Sequence, residues 1–242
     1  MNNNTCSTVE NYREFFTKEY LMGPNSLRLL DEMLRKYPLK EGGRVMDLGC
    51  GMGLTSMFLA KEAKVHVFAT DLWISATQNA ENFRKWGIDE QVIPIHADAN
   101  DLPYAGQYFD AIVSIDAFHY FAAKKGFFRE KLLPFLKPDG ILMAAMPGVK
   151  EELEGEAADT LLEWMGGNKD DYDTFHCRKW WLDLIGKGED FEVVMDFELD
   201  CFDEAWNDWF VSEHEYAIKD KAYFDRGMGK YLSFIGLVIR RK

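Results

Sequence analysis

Residues 44–53 read Arg44-Val45-Met46-Asp47-Leu48-Gly49-Cys50-Gly51-Met52-Gly53, a short apolar strand running into three glycines at alternate positions. Glycine is needed where a backbone turns sharply and a ligand lies against it. A helix opening after Gly53 would aim its amide-rich end at the same place, where a carboxylate or phosphate is favourable. Asp71 ends the next apolar run, and a carboxylate there suits the two hydroxyls of a ribose. Loop and carboxylate together point to a nucleoside ligand.

A dinucleotide fingerprint is G-x-G-x-x-G, its third glycine allowing close helix packing beneath a pyrophosphate. Here the pattern is G-x-G-x-G, Leu54 stands three residues after Gly51, and Asp47 would bring a negative charge to the phosphates. S-adenosylmethionine carries an ammonium and a sulfonium beside one carboxylate. A pocket edged by Asp47 and Asp71 suits it electrostatically. The stretch resembles motif I of the class I S-adenosylmethionine-dependent methyltransferases.

Later segments carry the same resemblance in the same order. Residues 64–70, Lys-Val-His-Val-Phe-Ala-Thr, form a β-branched and aromatic run ending at Asp71, as a buried parallel strand should. Residues 91–97 form another, followed by Asp98-Ala99-Asn100-Asp101-Leu102-Pro103-Tyr104. That segment is similar to the Asp-Ala-x-x-Leu-Pro-aromatic stretch of small-molecule methyltransferases, whose acidic residue meets the adenine amino group. Residues 109–116 resemble the fourth strand, and Leu136-Lys137-Pro138-Asp139-Gly140 the turn into the fifth. The resemblance implies cofactor contacts at Asp47, Gly49, Cys50, Gly51 and Gly53 after the first strand. It implies others at Asp71, Leu72, Asp98, Ala99 and, toward the cofactor's ammonium, Asp116. The product of transfer would be S-adenosylhomocysteine.

The fold implied is α/β, a Rossmann-like, doubly wound seven-stranded sheet whose last strand is antiparallel. A chain of 242 residues, 47% of them hydrophobic, can build one such domain over 1–242. Residues 1–40 read as an N-terminal helical lid, 41–146 as the cofactor-binding core, and 147–190 as a lid insertion after the fifth strand. Residues 191–242 read as two strands around a helical stretch. Within 12–37 the apolar positions Leu27, Leu29, Leu30, Met33 and Leu34 recur at helical spacing, and Gly23-Pro24-Asn25 marks a break and a helix start. Lid, insertion and last helix are expected over the carboxyl ends of the strands, with Tyr20, Met22 and Asn25 near the methyl group.

The net charge of −13 disfavours nucleic acid, whose phosphates need a basic surface. No apolar run approaches a membrane span, and the start lacks the basic and apolar parts of a signal peptide, so a cytoplasmic protein without stable membrane association is expected. Cys6, Cys50, Cys177 and Cys201 are scattered and form no disulfide or zinc pattern. Oligomeric state is open.

Methyl transfer is an in-line displacement, so the protein must chiefly align the acceptor and exclude water; a base is needed only for a protonated acceptor. His119 is the candidate base, since an imidazole titrates near neutral pH. Tyr20, Tyr120, His176 and Trp180 are the candidate acceptor contacts, the tryptophans otherwise reading as packing residues. His66 and His96 fall within strands and read as buried. A metal-assisted mechanism lacks an acidic pair at the end of the fifth strand, where the chain has Ala144-Ala145-Met146-Pro147. A small-molecule acceptor leads. A lipid or protein acceptor, a protein that binds the cofactor without catalysis, and a NAD-dependent reductase are the alternatives.

Overall fold

The computed structural model describes residues 8–242. Cys6 and most of the start read above lie outside the described residues. Seven strands form one sheet: β1 (Arg44–Leu48), β2 (His66–Asp71), β3 (Val92–His96), β4 (Phe109–Ile115), β5 (Leu136–Val149), β6 (Phe191–Glu198) and β7 (Leu232–Arg241). Their order is β3-β2-β1-β4-β5-β7-β6. The first five run parallel, and β7 lies antiparallel to both β5 and β6. This is the Rossmann-like arrangement expected, with the last strand antiparallel.

The parallel strands are apolar because both faces are covered. Along β1 the side chains alternate, Val45 entering one core cluster and Met46 the other. The first face is covered by α1 (Ser26–Lys36), α2 (Leu54–Glu62) and α3 (Ala76–Lys85), through Leu27, Met33, Met57, Phe58 and Phe83. The second takes Phe118 and Ala122 of α4 (Phe118–Ala122), together with Phe128 and Leu132 of the turn before β5. The segment after β5 holds α5 (Gly155–Trp164), α6 (Lys169–Tyr172) and α7 (Arg178–Ile185); α8 (Phe202–Phe210) and α9 (Glu215–Asp225) separate β6 from β7. Trp164, Trp206 and Trp209 enter the first cluster and Trp181 the second, so these tryptophans are packing residues.

Two local expectations change. β5 continues through Pro147 to Val149, where β4 has ended opposite Ala145 and β7 still pairs with every residue to Val149. A proline is tolerated in a strand where one neighbour is missing. The amino-terminal region is less helical than its periodicity suggests. A 3-10 stretch, Thr8–Phe15, is followed by a loop before α1 starts at Ser26. Asn25 is fully buried; its side chain accepts the Leu27 N–H at 3.1 Å and donates to Asp208 of α8 at 2.8 Å. It caps α1 and ties it to α8, and does not face a methyl group. Arg28 adds ion pairs to Asp208 and, at 2.9 Å, to Glu10.

Candidate active site

A cavity of about 310 Å³ opens at the carboxyl ends of β1 to β4, where ligands bind in open α/β sheets. Its floor is the loop after β1 and its roof is the segment around Tyr20 to Ser26. The walls come from the residues just past β2, β3 and β4.

The three glycines of the loop all have positive φ, +78° at Gly49, +51° at Gly51 and +88° at Gly53, yet they serve different purposes. A Cβ on Gly49 would sit 2.3 Å from Ala117 Cβ, and one on Gly53 2.4 Å from Phe83 Cε1. Those two glycines let protein pack on protein. A Cβ on Gly51 would meet only Met22 Sδ, at 3.0 Å. Both Gly51 and Met22 line the cavity, so Gly51 is the glycine whose missing side chain leaves room there.

Asp71 stands at the end of β2 and is organised by backbone. Its Oδ2 accepts the Gly51 N–H at 2.8 Å, and Oδ1 accepts those of Trp73 and Ile74 at 2.7 and 2.8 Å. Oδ1 is fully engaged, and Oδ2 keeps one lone pair for a further donor. Asp98 begins the loop after β3, its Oδ1 accepting the backbone and side-chain amides of Asn100, both at 2.8 Å. Those bonds hold its carboxyl below the usual range. Leu72 and Ala99 line the same wall. Cys50 also lines it, its thiol pushed well above the ordinary value by burial and by Asp47 and Asp71, which makes it unreactive.

Asp116 and Tyr120 form the β4 end of the cavity and Tyr20 its roof. Asp116 has φ +55°, and its carboxyl is pushed up to about 8 by desolvation and by Asp220 of α9. Tyr120 is 52% exposed and meets Trp73 edge-on at 5.5 Å across the mouth. The Tyr20 hydroxyl accepts from Lys85 Nζ at 2.9 Å.

Five expected site residues lie elsewhere. Asp47 is fully buried behind the loop, because its strand position faces α2. Its Oδ2 accepts the hydroxyls of Thr55 and Ser56 at 2.7 and 2.6 Å, Oδ1 has no partner, and burial raises the carboxyl to about 6. Gly53 starts α2 and packs on Phe83. His119 is 1% exposed and outside the cavity wall; α4 turns it inward against Tyr120, 4.0 Å between ring centroids, and Phe175. Neither ring nitrogen has a partner, and burial pulls its pKa down to about 3, so the ring is neutral. His176 stacks on Trp180 at 3.6 Å with Nδ1 2.9 Å from Glu152, and neither aromatic lines the cavity. Among the described residues, none beyond 124 lines it, so the segment 147–190 is no wall of this pocket. His66 and His96 are exposed rather than buried.

Met22, Gly23, Trp73 and Lys124 line the cavity without having been expected as contacts, apart from the placement of Met22 near the methyl group. Trp73 follows directly on the Asp71-Leu72 pair, which was signal enough. Gly23 was read only as a helix break, although a Cβ there would lie 2.6 Å from Asp116 Oδ2. No group of three His, Cys, Asp or Glu able to hold a metal occurs among the described residues.

Comparison with known proteins agrees with this architecture. A family described as a methyltransferase domain matches residues 45–140. The 27-O-demethylrifamycin SV methyltransferase of Amycolatopsis mediterranei (strain S699) is 30% identical over 94 residues, 38% of this chain and 35% of that protein. The chain spans between 20% and 47% of the length of the curated relatives it matches. Among solved structures, phosphoethanolamine N-methyltransferase 2 of Haemonchus contortus, in complex with S-adenosyl-L-methionine, superposes with a TM-score of 0.70 at 17% identity, covering 96% of this chain and 56% of that one. The [4+2]-cyclase SpnF superposes with 0.67 at 20% identity, covering 88% and 79%. At such identities the superpositions speak for the fold. Residues 45–140 thus match a methyltransferase domain, set in a sheet whose strand order is that of the Rossmann-like methyltransferase fold.

Proposed function

We propose that the protein transfers a methyl group from S-adenosylmethionine to a small-molecule acceptor bound under residues 20–26. The observation that carries this is the pairing of Gly51 with Asp71 inside one cavity: a ligand-facing glycine whose amide is held by the carboxylate that suits a ribose. The residues present fit the cofactor. The space over Gly51 would accept its amino-acid end, Asp71 Oδ2 keeps a lone pair for a ribose hydroxyl, and Leu72 and Ala99 offer apolar contact to the base with Asp98 at its edge. The cofactor supplies a methyl carbon already activated by a positive sulfur.

The chain's own residues orient and enclose. Strands in a sheet lie about 4.8 Å apart, so the cavity runs roughly 14 Å from β3 to β4. With base and ribose held at β3 and β2, Asp116 and Tyr120 at the β4 end would be left to face the reacting group. Met22, Trp73 and Tyr120 rim this end with apolar surface that excludes water. The relatives named above act on small organic molecules by their names, which supports an acceptor of that size.

Calorimetric titration tests this reading. Micromolar binding of S-adenosylhomocysteine, roughly −7 to −8 kcal/mol, is expected, with no comparable binding of NAD. Preference for NAD overturns the proposal.

A further inference from the structure

The two ends of the cavity differ in how their carboxylates are satisfied. At the β2 and β3 end, Asp71 accepts three amide N–H groups and Asp98 two. At the β4 end, Asp116 lines the cavity and, among the described residues, its carboxylate receives no hydrogen bond or ion pair from the protein; only desolvation and Asp220 act on it. Gly23 leaves this carboxylate its space.

Further carboxyls flank this end. Asp220 on α9 accepts the indole N–H of Trp164 at 2.7 Å and of Trp209 at 2.8 Å, which fixes its carboxylate in place. Asp116, Asp171 of α6 and Asp220 all act on the Tyr120 phenol, which desolvation and those charges keep protonated. Lys219 and His214 act on Asp220 from its own side, whereas Lys124, the one cation of the cavity wall, acts on Asp98. Among the described residues no cation answers Asp116. Without a cation beside it Asp116 is driven toward its protonated form, and an acceptor that carries its own positive charge would favour the carboxylate. A protonated amine supplies both the charge and the donors.

Resting on the methyltransferase reading, we propose that the acceptor is an amine that enters as its ammonium ion, is held between Asp116 and Tyr120, and gives a proton to the Asp116 carboxylate. The N–H bond breaks with its electron pair left on nitrogen, and the proton goes to Asp116 Oδ. That pair forms the new N–CH3 bond while the carbon–sulfur bond of the donor breaks and its pair stays on sulfur. The product leaves as an N-methylammonium, and Asp116 returns its proton to solvent. An ordinary aspartate would be far too acidic to take a proton from nitrogen; desolvation beside Asp220 narrows that gap.

The test uses the whole protein with methyl-labelled S-adenosylmethionine and the small-molecule fraction of the cells that make it. The labelled atom is identified by mass spectrometry, and S-adenosylhomocysteine binding is measured by calorimetry. Label on an amine nitrogen is expected. Asp116→Asn should lower turnover by about 10²–10⁴-fold while S-adenosylhomocysteine affinity stays within about twofold. Asparagine tolerates the positive φ, so the variant folds. The native rate should climb as pH rises through about 8, and that climb should vanish in Asp116→Asn. Label on oxygen, sulfur or carbon, or no label despite intact S-adenosylhomocysteine binding, overturns the proposal. Affinity falling in step with turnover also overturns it, and assigns Asp116 to the cofactor's ammonium. Failure to bind S-adenosylhomocysteine at all sinks the methyltransferase reading itself.

Discussion

Asp71 Oδ2 accepts the backbone N–H of Gly51 at 2.8 Å, joining the end of β2 to the loop after β1. The carboxylate is thus a brace for the floor of the cavity as well as a wall of it. Removing it should loosen the glycine whose missing side chain gives the ligand room.

Asp71→Ala is therefore expected to weaken S-adenosylhomocysteine binding by about 1.5–3 kcal/mol, the value of hydrogen bonds to a charged group. Calorimetry checks this, and unchanged affinity would show that the carboxylate serves the loop alone.

The glycines should separate by phenotype. Gly53→Ala drives a Cβ to 2.4 Å from the Phe83 ring at φ +88°, so a stability loss of about 2–4 kcal/mol is expected. Gly51→Ala meets only the flexible Met22 thioether, so it should cost about 1–2 kcal/mol of stability and weaken S-adenosylhomocysteine binding at least about tenfold. Denaturant unfolding and titration of both variants decide. Equal effects on both readouts would remove the distinction.

Asp47 predicts a pH signature in the cofactor-free protein. Its folded carboxyl is raised from 3.8 to about 6, so the native state binds its proton more tightly than the unfolded chain. The resulting penalty is absent below about pH 4, grows as pH rises, and is complete above about 6. Unfolding free energies of Asp47→Asn and the native chain should therefore shift relative to each other by about 3 kcal/mol, in favour of the variant, between pH 4 and pH 7. A pH-independent difference would contradict the burial seen at this site.

His119→Leu should retain turnover within about tenfold and leave the pH profile unchanged, where loss of a base would give 10²–10⁴-fold. The substitution removes two unpartnered buried nitrogens, so stability should hold or rise. A rate loss that recovers at high pH would restore His119 as the base.

Much of this was legible in the sequence because the parallel core writes itself locally. β2, β3 and β4 are largely apolar runs that end at, or within two residues of, an acid, which is how Asp71, Asp98 and Asp116 could be placed. What escaped depends on side-chain direction across elements. Asp47 and Gly53 belong to the same motif as Gly51, yet the strand pleat sends Asp47 to α2, and Phe83 of α3 claims the space over Gly53. His119 and Tyr120 are adjacent, and the start of α4 turns one into the core and the other to the cavity mouth. The insertion was expected to wall the acceptor from its aromatic content, but Trp164 and Trp181 are spent in the core. Asp220 carried no sequence signal, since its relation to Asp116 spans about a hundred residues and arises only from packing.

The position of β7 between β5 and β6 bears on how the chain is made. β5 is complete once Val149 has been synthesised, but its partner begins at Leu232, about eighty residues later. At 5–20 residues per second that interval lasts roughly 4–16 seconds. Throughout it the fourteen-residue β5, apolar for most of its length, has one unpaired edge, and β6 has no strand to join. An open apolar edge is a template for pairing with other chains. The nascent protein is thus most vulnerable to aggregation while its insertion and α8–α9 are emerging from the ribosome, and chaperone binding should concentrate in that window.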